Sequence, residues 1–198
     1  MKKILILAFL AVTLINCNDD TTSSVSLTAE EENDLQFLRE EEKLARDVYL
    51  YAYDKYALTV FNNISQSEQQ HMDKVLTLLN YYNLEDPALA NPGEFSNEEL
   101  QTLYNQLTAQ VDISQLEALK VGATIEDLDI KDIEEFESRT DKSNILNVYG
   151  NLKCGSRNHM RAYYSALEAL GVIYVAQYIS QDELDVIIGS TNERCGRQ

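Results

Sequence analysis

Glu68 and His71 stand three residues apart in a segment whose apolar residues recur with a helical period. On a wheel of about 100° per residue, Phe61, Ile64, His71, Met72, Val75, Leu78, Leu79 and Tyr82 fall within roughly 80° of Glu68. Asn62, Gln66, Gln70, Asp73 and Thr77 fall outside that arc. Residues at i and i+3 share a helix face, so both Glu68 and His71 are expected to point into the core. An ionised carboxylate in an apolar interior is costly unless it is paired, protonated or bound to a metal. Taken alone, such a pair fits a buried ion pair or a neutral, hydrogen-bonded Glu as well as a metal site. Some other part of the chain must answer Glu68.

The same test finds ligand-type residues on three more segments. Around His159 gather Ile145, Val148, Leu152, Gly155, Ala162, Tyr163, Ala166 and Leu170; around Glu126 gather Leu119, Gly122, Ala123, Ile130, Ile133 and Phe136, with Asp129 in the same sector. Glu42 is flanked by Leu35, Leu38, Ala45, Tyr49, Ala52, Tyr53 and Tyr56, whereas Glu40 lies among Asn33, Gln36, Lys43 and Asp47. Glu41 is also near apolar residues, so the first segment favours Glu42 and leaves Glu41 open. The inventory of metal-ligand candidates is Glu42, Glu68, His71, Glu126, Asp129 and His159. Four carboxylates and two imidazoles balance two divalent cations, which removes the burial cost of Glu68. Mixed oxygen and nitrogen ligands suit iron or manganese in a dinuclear site and leave zinc open. The competing expectation is a buried salt-bridge network in which Arg46, about 40° from Glu42 on the wheel, neutralises a carboxylate.

Two prolines, seven glycines, no tryptophan and long periodic segments predict an all-α fold. The first long helix runs from Thr28, an N-cap with Glu31 at the capping-box position, to Tyr56; the second covers Val60 to Tyr82. Asp86-Pro87 and Asn91-Pro92-Gly93 then break the chain. A short helix at Ser96 to Thr108 follows, capped by Ser96 with Glu99. The third long helix follows Ser114 and reaches Glu137, and the fourth spans Lys142 to Leu170 and stops at Gly171. An apolar stretch, Val172 to Tyr178, precedes a short C-terminal helix from Gln181 to Ile188. Short connections pair helices one with two and three with four, and a long crossover carrying the short helix joins the pairs. That is the layout of a ferritin-like four-helix bundle.

Residues 1–16 read as a targeting segment: Lys2 and Lys3, then an apolar run from Ile4 to Ile15 too short to span a bilayer as a helix. Leu14-Ile15-Asn16-Cys17 resembles the lipobox of bacterial lipoproteins, although Asn16 is bulkier than the usual residue there. The resemblance implies that Cys17 carries lipid and anchors the chain to a bacterial membrane on its extracytoplasmic side. The alternative is an ordinary cleaved signal with an incidental cysteine. Residues 17–28 form a polar tether, and 29–198 the helical domain. Cys154 and Cys195 then remain as an even pair in a compartment that permits a disulfide. A bridge between them stabilises by about 3 to 4 kcal/mol on the loop-entropy model. A net charge of -17 argues against a nucleic-acid partner.

Glu42-Lys-Leu-Ala-Arg46-Asp-Val-Tyr49 resembles the E-x-x-A-R-x-x-Y opening of rubrerythrin-type helices, and Glu68 with His71 supplies the E-x-x-H match. Together with Gly122-Ala-Thr-Ile-Glu126-Asp-Leu-Asp129-Ile and Gly155-Ser-Arg-Asn-His159, these resemble a ferritin-like family known as domain of unknown function 2202, over about residues 30 to 175. The resemblance implies a ferritin-like di-metal fold. Where such proteins usually carry a second E-x-x-H, Ser156 precedes His159, and Asp129 stands at the spacing of the second carboxylate of rubrerythrin-type sites. The resulting expectation is a lipid-anchored metal protein that oxidises metal or reduces peroxide or dioxygen. No Cys-x-x-Cys pair is present, so the electron source of a true rubrerythrin is lacking. The alternative is a non-catalytic surface module that binds metal or protein. Dimerisation is left open.

Overall fold

The computed structural model describes residues 26–196. The targeting segment, Cys17 and the tether up to residue 25 lie outside the described residues. Among the described residues the chain is all-helical, with six helices and no strand: α1 Ala29–Tyr56, α2 Thr59–Tyr81, α3 Glu98–Val111, α4 Gln115–Glu137, α5 Ser143–Glu168 and α6 Gln181–Gly189. No helix among them is long and apolar enough to cross a membrane.

Local chemistry sets the helix ends. The Thr28 hydroxyl accepts from the Glu31 amide at 3.1 Å while the Glu31 carboxylate accepts from the Thr28 amide at 2.8 Å, a reciprocal cap. Ala57 stops α1 in a left-handed conformation with φ 52°, and Leu58 leads directly into α2. Before α3 the cap is Asn97, not Ser96: its Oδ1 accepts from the amides of Glu99 and Leu100. Ser96 is engaged elsewhere, its amide donating to Glu40 and its hydroxyl to the Pro87 carbonyl. At the far end α5 stops at Glu168, so Leu170 falls beyond the helix and is exposed.

α1 packs along α2 and α4 along α5; contacts of α1 with α4 and of α2 with α5 join the two pairs, and α3 lies against α1 and α4. The interior is two apolar clusters with a polar layer between them. One contains Leu44, Val48, Phe61, Ile64, Ile125, Met160 and Tyr163; the other contains Leu35, Leu38, Val75, Leu79, Ile133, Tyr149 and Leu152. On α1, α2 and α5 the break between clusters falls at residues 39–43, 65–74 and 153–159, while on α4 residues 126–129 interrupt the first cluster between Ile125 and Ile130. These are the stretches that carry the candidate ligands.

The wheel placed Glu40, Lys43 and Asp47 on an outer polar face of α1, yet all three are buried, with Arg39. The crossover covers them. Arg39 donates twice to Asp86, Lys43 donates to Asp47 and to the carbonyls of Asn91 and Glu94, Asp47 accepts from the Gly93 amide, and Glu40 accepts from the amides of Ser96 and Asn97. Buried backbone groups of a loop need partners, and α1 supplies them from charged side chains. At the other end of the chain, Asp127 on α4 accepts from the amides of Gln177 and Ile179 and from the Tyr174 hydroxyl. A disulfide joins Cys154 on α5 to Cys195, and Arg157 and Arg161 pair with Glu193 beside it.

Glu31 also accepts from the Lys142 ammonium, 2.7 Å from both carboxylate oxygens, and from the Thr140 hydroxyl. It thereby fastens the start of α1 to the α4–α5 turn. Burial works against its charge, but Lys142, Thr140 and the Thr28 amide outweigh that and hold the carboxyl down to about 2. The folded value lies below the unfolded one, so this stabilisation is fully present above about pH 4.5 and is lost as pH falls through about 2. Glu31→Gln should cost about 1 to 2 kcal/mol at neutral pH, allowing for solvent screening at this edge. In urea melts the gap to wild type should close between about pH 5 and pH 2; a gap that does not change with pH would assign the loss to packing instead.

Candidate metal centre

The polar layer brings Glu42 from α1, Glu68 and His71 from α2, Glu126 from α4 and His159 from α5 to one buried place. Glu68 sits in the middle. One of its oxygens lies 2.8 Å from Nδ1 of His71 and the other 2.8 Å from Nδ1 of His159. His71 Nδ1 also meets Glu42 at 3.2 Å, and His159 Nδ1 meets Glu126 at 3.3 Å. The two rings are 5.5 Å apart between centroids. Two groups can each hold a metal ion, Glu42–Glu68–His71 and Glu68–Glu126–His159, with ligand atoms within 4.8 Å of one another in each. Glu68 belongs to both.

The remaining candidates fall at the edge of this arrangement. Asp129 is buried but joins neither group; one of its oxygens accepts a hydrogen bond from the Ser156 hydroxyl. Ser156 thus occupies the position where an E-x-x-H on α5 would place a carboxylate, and it binds the neighbouring helix's carboxylate instead. Of the two neighbours on α1, Glu42 enters a group and Glu41 does not, although Glu41 is also buried. Arg46 does not neutralise Glu42. It donates to Asp47 and Gln69.

Several buried atoms here lack hydrogen-bond partners: Oε1 of Glu42, Oε1 of Glu68, Oδ1 of Asp129 and Nδ1 of His159. Buried polar atoms are ordinarily satisfied, and each of these is a metal-ligand atom type. Glu68 Oε1 and His159 Nδ1 are close, yet they lack the angles of a hydrogen bond. The donor set therefore fits a cation.

The electrostatics show the strain among these groups. Burial pushes Glu42 up to about 7, against the pull of His71, and it also raises Glu126, against His159. Glu68 is the exception: burial opposes its charge, but His159 and His71 hold its carboxyl well below the usual range. Burial lowers both imidazoles, and the carboxylates overcome it. Glu42 and Glu68 bring His71 up to about 10, and Glu68 and Glu126 raise His159 well above its ordinary value. Protons on the rings and a divalent cation compete for the same lone pairs.

Residues other than the predicted ligands position them. The Ser67 hydroxyl lies 2.9 Å from Nε2 of His159, fixing the ring from its far side; a serine among polar neighbours gave no signal in the sequence. The Tyr49 hydroxyl donates to Glu126 at 2.5 Å. Gly155 and Gly122 admit close neighbours: a Cβ on the first would fall 2.5 Å from His71 Nε2, and one on the second 2.4 Å from the Tyr163 ring. Both glycines appear in the motifs read from the sequence, without this reason.

The family model described as an uncharacterized protein domain, DUF2202, matches residues 31–191. The chain belongs to the DUF2202 family. It is 51% identical over 169 residues to the uncharacterized protein MJ0754 of Methanocaldococcus jannaschii, covering 85% of this chain and 91% of that protein. It is similar in fold to the crystal structure of hypothetical protein MJ0754, with a TM-score of 0.83 at 50% identity over 84% of this chain and 96% of that one.

In this DUF2202 chain, the contact between Gly155 and His71 is open to a direct check. Gly155→Ala should destabilise by about 1 to 3 kcal/mol through overpacking and shift the His71 imidazole resonances. Gly150→Ala on the same helix meets nothing within 4 Å and should be neutral or stabilise by up to about 1 kcal/mol. Equal effects of the two in urea melts would remove the steric role assigned to Gly155.

Proposed function

We propose that this DUF2202 protein is a ferritin-like four-helix bundle that holds a pair of iron or manganese ions and reacts with dioxygen or peroxide. The observation that carries this is the Glu68 carboxylate, which belongs at once to two groups of buried metal-ligand atoms. The hairpin of α1 with α2, the hairpin of α4 with α5 and the crossover bearing α3 support the bundle assignment.

Glu42 and His71 would hold one ion, Glu126 and His159 the other, and Glu68 both. Bound iron or manganese supplies one-electron redox chemistry and Lewis acidity. The chain's own residues do the rest. Glu68 orders both imidazoles by presenting one oxygen to each Nδ1. Ser67 holds the His159 ring from behind, and Tyr49 fixes one oxygen of Glu126, leaving the other toward His159. Asp129, held by Ser156, stands in reserve at the edge as a further carboxylate. The apolar clusters on both sides exclude water from the layer. Zinc also suits this donor set but would not supply the redox step.

The reading extends to location. Lys2 and Lys3, the apolar run to Ile15 and Cys17 support a lipid-anchored extracytoplasmic protein, and the Cys154–Cys195 disulfide suits an oxidising compartment. The test is metal analysis of the full chain in detergent, followed by peroxide consumption. Wild type should carry about two equivalents of iron or manganese, and Glu68→Gln should lose most of both while remaining helical. Equal metal content in wild type and Glu68→Gln would overturn the site.

A further inference from the structure

The Cys154–Cys195 bridge lies next to the centre as well as at the end of the chain. Cys154, Arg157, Asn158 and Arg161 recur at helical spacing and share one stripe of α5, while Gly155 and His159 are buried on the neighbouring stripe that faces the centre. Gly155, the residue after Cys154, is where α5 meets the His71 ring with no room for a side chain. A single peptide unit and one close contact therefore connect Cys154 to His71.

The bridge is not what holds the tail in place. Glu193 accepts from Arg157 at 2.8 Å and from Arg161 at 2.9 Å. Its amide donates to Asn158 Oδ1 at 2.8 Å, and its carbonyl accepts from Asn158 Nδ2 at 3.1 Å. None of these contacts involves sulfur, so Cys195 should stay beside Cys154 when the bond between them is opened. Asn158 Nδ2 also lies 3.3 Å from Cys195 Sγ, an N–H donor that a thiolate accepts more strongly than a neutral sulfur.

Beside the bridge runs a groove of about 260 Å3, lined by Gly150, Asn151, Arg157, Arg194 and the two cysteines. Cys195 is half-buried. Exchange of a disulfide requires that a thiolate reach one of its sulfurs, and the groove gives it room.

We propose that Cys154 and Cys195 are the electron donor of the Glu68 centre, a dithiol that becomes the disulfide as hydrogen peroxide is reduced there. This rests on the redox reading above. Two thiols give up two electrons and two protons and join as one S–S bond. One hydrogen peroxide takes up two electrons and two protons, its O–O bond breaks, and two waters leave. The electrons leave Cys154 along the Gly155 backbone toward the His71 ring. A dithiol entering the groove restores the pair: its thiolate attacks one sulfur, its second thiol resolves the mixed disulfide, and both cysteines are left reduced. The pair fills the role for which the chain has no Cys-x-x-Cys.

The full chain, loaded with iron, is reduced with dithiothreitol, freed of the reductant without air, and given a small excess of hydrogen peroxide; mass spectrometry of alkylated peptides then counts the two thiols. Reduction should proceed without denaturant. Wild type should lose both thiols, whereas Glu68→Gln and iron-stripped wild type should keep most of theirs over the same time; the stripped protein gives the answer should the variant fold poorly. Cys195→Ser should keep the iron content of wild type. Peroxide consumed while both thiols survive, a bridge that re-forms as fast without iron, or a bridge that yields to dithiothreitol only in denaturant would overturn the donor role and leave the Glu68 centre standing. A chain that binds no iron would overturn both.

Discussion

The Glu68 carboxylate, met by an imidazole at each oxygen, is the interaction around which this DUF2202 chain is built. It lies in the interior, where an unpaired charge would cost several kcal/mol, and it touches ligand-type residues brought by three other helices. α2 supplies both Glu68 and His71 from one face, so the register of α1, α4 and α5 against α2 must be set closely for Glu42, Glu126 and His159 to arrive. Gly155 is part of that register, since α5 approaches the His71 ring closely enough to leave no room for a side chain.

A polar layer across the middle of the core separates two apolar clusters. The ends of the helices are fastened accordingly. Glu31 and Lys142 tie α1 to the α4–α5 turn at one end, and Asp127 gathers the chain after α5 onto α4. α1 carries the heaviest load: it offers Glu42 to the centre, and Arg39, Glu40, Lys43 and Asp47 to the crossover. A helix rich in charged residues is thus buried around its middle turns, because its charged groups satisfy the backbone of a loop.

Helical periodicity made most of the layer legible. Glu68, His71, Glu126 and His159 were placed inward by their apolar neighbours alone, and the Thr28–Glu31 cap was visible as a pair of residue types. What periodicity cannot show is which polar face another segment will cover. Glu40, Lys43 and Asp47 read as solvated, yet the crossover lies over them, and Asn97 caps α3 in place of Ser96, whose hydroxyl donates to the Pro87 carbonyl instead. The competing expectation of Arg46 as a partner for Glu42 rested on a wheel, which gives direction and no reach; its long side chain turns to Asp47 and Gln69 instead. Ser67 acts through one ring nitrogen, a contact that exists only once α2 and α5 are side by side.

Anomalous diffraction from crystals soaked in Mn2+ tests the central claim most directly, because it locates ions without reference to activity. The account requires two peaks flanking the Glu68 carboxylate, one beside Glu42 and His71 and the other beside Glu126 and His159. Peaks confined to surface carboxylates, with the Glu68 layer unchanged and empty, would contradict it and leave these five residues as a buried ion-pair network.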